Sequence, residues 1–134
     1  MKLFDIYTDP SSWTLPFQLL QERAPCQNIS HRAMPTWDEH RDFVLSRPYP
    51  RWYSFDSAIG APAGCVYLTT RREVGIGVLK RYRGEGLAIA AIEELMRLHP
   101  GRFVANINPA NEASIALFRK LGFGGPIQIT LEKP

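Results

Sequence analysis

The six residues from Arg81 to Gly86 have the composition of a phosphate-binding loop. Their sequence is R-Y-R-G-E-G, between an apolar run that ends at Leu79 and a helical pattern that begins near Leu87. Two glycines at a helix start let main-chain N–H groups point at one anion, and the helix N-terminus adds partial positive charge. A glycine pair is also typical of a plain strand–helix turn, so the loop alone leaves both interpretations open.

The distribution of charge favours phosphate binding. The chain has 134 residues, with 16 lysines and arginines against 13 aspartates and glutamates, and a formal net charge of +3. Residues 71–85 contain five basic and two acidic side chains, so this stretch alone carries the whole excess. An anionic partner is therefore expected there. No Gly-Lys-Ser/Thr follows, and position 89 is not glycine, so the loop is neither a Walker A loop nor the dinucleotide fingerprint.

The elements around the loop predict a strand–helix–strand unit. Residues 73–79 are expected to form a strand with interior glycines, where a backbone or ligand can approach closely. A helix over 87–99, with Ala88, Ala91, Leu95 and Leu98 on one face, is followed by a strand over 102–107, and this order implies parallel pairing. Further on, Asn111 caps a helix over 112–121 that ends at Gly122.

The other predicted elements give an α/β (α+β) fold with a mixed sheet. Thr36 and Glu39 form a capping box that starts a helix. A serine before Trp13 is expected to cap an earlier helix, with Pro16 in its first turns. In chain order the elements are a strand over 2–7, a helix over 11–22, an extended piece over 27–32, a helix over 37–46, paired strands over 52–56 and 64–69, and a last strand over 128–132.

Two segments of the chain resemble the GNAT N-acetyltransferase family. Arg81-Tyr82-Arg83-Gly84-Glu85-Gly86 fits the family's R/Q-x-x-G-x-G/A loop, and residues 106–123, N-I-N-P-A-N-E-A-S-I-A-L-F-R-K-L-G-F, look like its N-x-x-S-x-x-L-Y/F-x-K-x-G-F segment. The close resemblance covers residues 73–123, and residues 19–46 are more loosely similar to the family's first two helices. It implies one GNAT-like domain over residues 1–134, with a mixed, mostly antiparallel sheet flanked by helices and a splayed parallel strand pair.

The resemblance implies that acetyl-CoA (coenzyme A) is the cofactor. In the family, main-chain N–H groups of the loop hold the pyrophosphate, the preceding strand binds the pantetheine, and the acetyl group lies where two parallel strands splay apart. A role for Asn111 as a helix N-cap is compatible with its contacting the cofactor. The cofactor-binding residues implied here are Ile76, Gly77, Val78, Leu79, Arg81, Tyr82, Arg83, Gly84, Glu85, Gly86, Leu87, Asn111 and Ser114.

The family reaction is direct attack of a primary amine on the thioester, which requires removal of an ammonium proton. Glu73 is the candidate base, and a surface partner for the arginines at 71 and 72 is the competing interpretation. A main-chain N–H near Val78 or Leu79 is expected to stabilise the oxyanion. Many relatives protonate the departing thiolate from a tyrosine in the last helix, but that position is Phe118, which has no proton to give.

Candidate acceptor-binding residues are His31 and Trp37, which lie in the region that forms the acceptor wall in relatives. Helix packing is the alternative role for Trp37, a solvated helix face is expected for His40, and a helix C-terminal charge for His99. The resemblance implies that the acceptor is the primary amine of a small molecule, with a nucleotide-linked amino sugar as one option. A peptide or protein N-acetyltransferase and a non-catalytic acyl-CoA-binding protein are the alternatives.

Composition and spacing argue against several other classes. Cys26, Cys65 and three histidines have no zinc-ligand spacing, so no metal is predicted and each cysteine is expected to be a small buried residue. No apolar run approaches a membrane span, and a cytoplasmic location without membrane partners is expected. The basic residues form no stripe beyond 71–85, which argues against nucleic acid. Only residues 124–134 follow the last motif, which leaves open a homodimer whose second subunit completes the acceptor pocket.

Overall fold

The computed structural model describes residues 1–23 and 33–134. Four strands form one antiparallel sheet in chain order, and helices cover both of its faces. Short 3-10 turns occupy Ile6–Thr8, Pro10–Trp13 and Lys80–Tyr82. The strands and helices are β1 (Phe4–Asp5), α1 (Thr14–Glu22), α2 (Trp37–Leu45), β2 (Arg51–Asp56), β3 (Pro62–Leu68), β4 (Val74–Val78), α3 (Leu87–Leu98) and α4 (Glu112–Lys120).

The segment after α3 meets β4 at one point and then leaves it. Glu73 and Val104 form a parallel bridge, in which the Val74 N–H donates to the Val104 carbonyl at 2.8 Å. The predicted strand over 102–107 is therefore wrong except at this bridge. Beyond it, the Asn108 side chain accepts the Ala110 N–H at 2.9 Å, so a local polar turn replaces ladder hydrogen bonds. The parallel pair is thus splayed, as the resemblance implies.

Helix starts are set by local side-chain hydrogen bonds. The capping box before α2 is confirmed, because the Glu39 N–H donates to Thr36 Oγ1 at 3.2 Å and the Thr36 N–H donates to Glu39 Oε1 at 3.0 Å. The serine cap predicted before Trp13 is wrong. The carboxylate of Asp9 instead accepts the Ser11 N–H at 3.1 Å and starts a 3-10 turn, after which α1 begins at Thr14.

Two apolar clusters hold the helices on the sheet. The cluster that contains Val66 and Phe55 packs against α3 and α4, and the cluster that contains Trp52 and Cys65 packs against α1 and α2. Burial of Cys65 confirms its expected role as a small core residue. The buried stripe of α3 consists of Ala91, Ile92 and Leu95, whereas Leu98, predicted on the buried face, is 42% exposed. Cys26 lies outside the described residues.

The predicted strand over 128–132 does not form. Residues 124–134 carry no strand, and the apolar side chains of the alternating pattern, Ile127, Ile129 and Leu131, are at least 73% exposed. An alternating pattern makes a strand only when a sheet edge pairs with it, and none in the described chain does. Within the described ranges, no helix has the length and apolarity to cross a membrane.

Candidate active site

The loop between β4 and α3 has the backbone conformation that its glycines suggested. Gly84 and Gly86 have φ values of 86° and 75°, in the left-handed region that favours glycine. A Cβ at either position would meet no described atom within 4 Å. Gly86 is the N-cap of α3, and within the described chain no side chain caps the first N–H groups of that helix. Together these features leave an open cradle of N–H donors for an anion.

Contacts on the β4 side hold this loop in place. The Tyr82 N–H donates to the Leu79 carbonyl at 2.9 Å, which closes the 3-10 turn. The Lys80 N–H donates to Glu22 Oε1 at 2.8 Å, so the end of α1 anchors the start of the turn. Arg83 Nε donates to the Val78 carbonyl at 3.2 Å. The loop is therefore tied to both α1 and β4.

The basic stretch is divided between the two ends of β4. Arg71 and Arg72 precede this strand, while Lys80, Arg81 and Arg83 follow it, which separates the two groups by roughly 25 Å of extended chain. Arg72 donates from Nε to the Arg102 carbonyl at 2.9 Å and from a terminal nitrogen to the His99 carbonyl at 2.6 Å. Three of the five basic residues in the stretch 71–85 therefore lie beside the loop, and the other two lie at the far end of β4.

Only alternate residues of β4 present their main-chain groups to the open edge. The Leu79 N–H donates to the Ala63 carbonyl at 2.8 Å. In an antiparallel pair every second residue forms main-chain hydrogen bonds with the partner strand, so Gly77 also bonds to β3. The main-chain groups of Ile76 and Val78 consequently face the gap between β4 and residues 104–108. A pantetheine paired along this edge would use Ile76 and Val78. The Leu79 N–H, one of the two expected oxyanion donors, is already used by the sheet.

The glycines of β4 provide room for side chains of the protein itself. A Cβ on Gly75 would overlap the ring of Tyr67, which lies across β4 from the neighbouring strand. A Cβ on Gly77 would lie 3.3 Å from Leu19 of α1. The close approach predicted from these glycines thus occurs, but the groups that approach are Tyr67 and Leu19.

A cleft of about 270 Å³ opens where β4 and the segment after Val104 diverge. Its lining combines residues implied in cofactor binding with Glu73 and with two tyrosines that pack on the α1 side of the sheet. Its volume is just below the range typical of ligand sites, which is about 300–1,000 Å³. The lining residues are Arg23, Tyr49, Tyr67, Thr69, Glu73, Val74, Gly75, Ile76, Asn106, Ile107, Asn108, Asn111, Ser114 and Phe118.

Glu73 is fixed at this cleft by the turn between β3 and β4. Its N–H donates to Thr69 Oγ1 at 3.0 Å, and the Thr69 hydroxyl lies 3.5 Å from Glu73 Oε2. Neither Arg71 nor Arg72 forms an ion pair with Glu73 in the described chain, and Arg72 is engaged at carbonyls instead. The geometry favours a carboxylate that faces the cleft over a surface ion pair.

Two stacked tyrosines form the wall beside Glu73. The rings of Tyr49 and Tyr67 are parallel within 6°, with centroids 3.9 Å apart. Tyr49 also packs edge-on against Trp52, and its carbonyl accepts the Tyr7 hydroxyl at 2.6 Å. Burial raises the pKa of Tyr49, so its phenol stays protonated.

Asn111 and two residues of α4, Ser114 and Phe118, also line the cleft. Asn111 Oδ1 accepts the Ser114 N–H at 3.2 Å, so Asn111 caps α4 while it also lines the cleft. Phe118 is buried and packs edge-on against Phe123 at 5.0 Å between centroids. Phe118 faces the cleft without offering a proton, in agreement with the sequence.

Trp37, which was predicted for the acceptor wall, does not line this cleft. Trp37 packs edge-on against Phe17 at 5.4 Å, which is its alternative role at the start of α2. The solvated position expected for His40 is wrong, since its ring is 2% exposed and Nε2 bonds the Trp13 carbonyl at 2.8 Å. His31 lies outside the described residues.

His99 differs from its predicted role as a helix C-terminal charge. Its Nε2 lies 2.8 Å from the Tyr53 hydroxyl, and its ring stacks on that tyrosine. Burial, with Arg51 and Arg72 nearby, lowers the pKa of His99 and favours the neutral ring. The charge prediction overlooked the two arginines that tertiary structure places beside it.

Sequence reasoning missed the cleft residues Arg23, Tyr49, Tyr67, Thr69, Asn106 and Asn108. A signal existed for Tyr67, because a large residue on one strand opposite a glycine on the next often covers that glycine. For Arg23 and Tyr49 no local pattern was available, since each comes from a separate part of the chain.

The fold and the loop together define a class of protein. An open glycine cradle, an uncapped helix start and a splayed strand edge fit a long phosphate-bearing cofactor that lies along β4. The acetyltransferase (GNAT) family model matches residues 3–123, and the chain belongs to this family. Accordingly, it is an N-acetyltransferase that acts on amines and uses acetyl-CoA as its cosubstrate.

Similar solved structures share the fold at low sequence identity. A putative GNAT-family acetyltransferase from Bordetella pertussis is 20% identical, with a TM-score of 0.70 over 97% of this chain and 88% of that one. A spermidine N-acetyltransferase chimera from Vibrio cholerae and hSSAT is 15% identical, with a TM-score of 0.71 over 92% and 82%. A phosphinothricin acetyltransferase from Sinorhizobium meliloti, in complex with acetyl-CoA, is 22% identical, with a TM-score of 0.67 over 90% and 73%. No curated protein sequence matches the chain.

Proposed function

We propose that this protein acetylates the primary amine of a small molecule, with Glu73 as the base that removes the amine proton. The observation that carries the proposal is the cleft at the splay. Its lining brings Ile76, on the open edge of β4, and Glu73 together. The cleft has room for a compact amine, and a protein could present no more than one side chain or its N-terminus to it.

For the cofactor, acetyl-CoA would supply a thioester whose acyl carbon accepts the amine. Gly84, Gly86 and the first turn of α3 would hold its pyrophosphate through main-chain N–H groups, with Arg81 and Arg83 adding charge. Tyr82, Glu85 and Leu87 would bind the cofactor through main-chain groups of the same segment. Ile76 and Val78 would bind the pantetheine arm along the open edge of β4.

In the acceptor half, the Glu73 carboxylate takes a proton from the ammonium, which produces a nucleophilic amine. The Thr69 contacts keep this carboxylate aimed at the cleft. Two main-chain N–H groups, those of Val78 and Leu79, were expected to stabilise the oxyanion. The sheet uses the Leu79 N–H, so the Val78 N–H on the open edge is the donor that remains. Because Phe118 has no proton to give, coenzyme A leaves as the thiolate, and the second proton that the acceptor nitrogen loses on forming the amide reaches this thiolate through water.

The suggestion of a nucleotide-linked amino sugar loses its support from the described residues. Trp37 and His40 pack between α1 and α2, and His31 is not described. A nucleotide would also need more volume than the cleft offers. We therefore favour a compact acceptor.

The test is amine-dependent release of free thiol from acetyl-CoA across a panel of small primary amines. Turnover with at least one amine, and at least a hundredfold lower kcat in Glu73→Gln with an unchanged Kd for coenzyme A, would support the proposal. Tight coenzyme A binding without turnover on any amine would instead favour the non-catalytic acyl-CoA-binding alternative.

A further inference from the structure

A cation, Arg23, and a carboxylate, Glu73, both line the cleft, and we propose that the acceptor is a small zwitterionic amino acid. Its amine would meet Glu73, and its carboxylate would be held by Arg23. This inference rests on the proposed function, because it places the acceptor at the Glu73 end of the cleft.

Arg23 supplies the positive wall. It is the C-cap of α1, where its N–H donates to the Leu20 carbonyl at 3.3 Å. Its guanidinium lies close enough to Tyr49 to oppose the effect of burial on the pKa of that phenol. No carboxylate of the described chain forms an ion pair with it. A guanidinium that faces a cleft without a protein carboxylate is suited to bind one from a ligand.

The stacked tyrosines add hydrogen-bond donors beside that guanidinium. The rings of Tyr49 and Tyr67 stack with centroids 3.9 Å apart, and both residues line the cleft together with Arg23. Both rings are fixed, Tyr67 by its seat on Gly75 and Tyr49 by Trp52 and Tyr7. A phenol hydroxyl can donate a hydrogen bond to a carboxylate, as a guanidinium can.

Glu73 supplies the negative charge, and the volume of the cleft limits the size of the acceptor. Glu73 and Arg23 both line the cleft but form no ion pair with each other. A cleft of this volume is roughly 8 Å across if it is nearly spherical, and the acyl end of the cofactor takes part of it. The two charges of an α-amino acid fit such a span. A polyamine would instead place its second cation against Arg23, where like charges repel.

The experiment compares acceptors that differ only in the anionic group. The twenty common amino acids are first screened for thiol release, and the best of them is tested against its amide and against the amine that lacks the carboxylate. We expect kcat/KM for the amino acid to exceed that for both neutral analogues at least tenfold. A neutral analogue or a polyamine that is used as well or better would overturn the inference while leaving the proposed function intact.

Variants of Arg23 test whether this side chain is responsible. Arg23→Gln should raise the amino acid KM at least tenfold with kcat and the coenzyme A Kd within about twofold, and Arg23→Lys should recover part of the loss. Arg97→Gln, on the surface of α3, is the control and should behave as the wild type. The inference would also be overturned if a folded Arg23→Gln variant kept the wild-type ratio of kcat/KM between the amino acid and its neutral analogues. Absence of turnover with every amine would instead contradict the proposed function.

Discussion

The phosphate cradle predicts a measurable difference between two nearly isosteric variants, Gly84→Asp and Gly84→Asn. Gly84 has φ +86°, and a Cβ there meets no described atom within 4 Å. Each substitution therefore destabilises the fold mainly through backbone strain, at about 1–2 kcal/mol, and Asn and Asp tolerate this region comparatively well. The two variants differ only in one negative charge at the mouth of the loop.

The size of that difference follows from electrostatics. Two unit charges about 5 Å apart interact by about 0.8 kcal/mol in bulk water and about 3 kcal/mol at an effective dielectric constant of 20. A pyrophosphate carries more than one charge, and about 1.4 kcal/mol changes an affinity tenfold. We expect the Kd for coenzyme A to be at least tenfold higher for Gly84→Asp than for Gly84→Asn.

The assay is isothermal titration calorimetry at low and at high salt, with melting temperatures measured on the same samples. The two variants should melt within a few degrees of each other, and their affinity difference should shrink as salt screens the charge. Equal affinities for coenzyme A in two folded variants would refute the placement of the pyrophosphate at this loop.

Three further predictions concern the acceptor wall, the base and a buried histidine. Gly75→Ala should lower the free energy of unfolding by about 1–3 kcal/mol, because the added methyl overlaps the Tyr67 ring. Chemical denaturation should show that the Gly75→Ala/Tyr67→Leu double variant recovers part of this stability, and a double variant that recovers none would contradict the contact. Thr69→Val should lower kcat severalfold with little change in the coenzyme A Kd, since Glu73 loses its hydroxyl partner. An unchanged kcat would show that Thr69 does not position Glu73 for catalysis. Burial holds the pKa of His40 below its usual value of about 6.5, so the unfolded chain takes up a proton that the folded chain resists. The free energy of unfolding should therefore fall as pH drops below about 6.5, less steeply in His40→Gln than in the wild type, and parallel pH profiles would contradict this.

The sequence predicted the family, the loop and most helices and strands, because interactions between neighbouring residues determine these features. Gly84 and Gly86 allow a left-handed backbone wherever they occur, the Thr36–Glu39 box needs only four residues, and Asn111 reaches its own helix. Apolar periodicity placed α3 within one residue of its end. These features depend on contacts between near neighbours in the chain, so the order of residues determines them.

What the sequence could not determine depends on contacts between distant segments. Arg72 and His99 looked like free charges in the sequence, yet the turn before β4 brings the Arg72 guanidinium to the His99 carbonyl, at the opposite end of β4 from the loop. The cleft is lined by Arg23 after α1, Tyr49 before β2 and Glu73 before β4. No spacing rule links these positions, because their proximity follows from the packing of α1 across the sheet, and the cleft opens because β4 meets the segment after α3 at a single bridge. The amino-acid order thus determined the conformation of the glycine loop, and tertiary packing alone decided which charged side chains line the cleft.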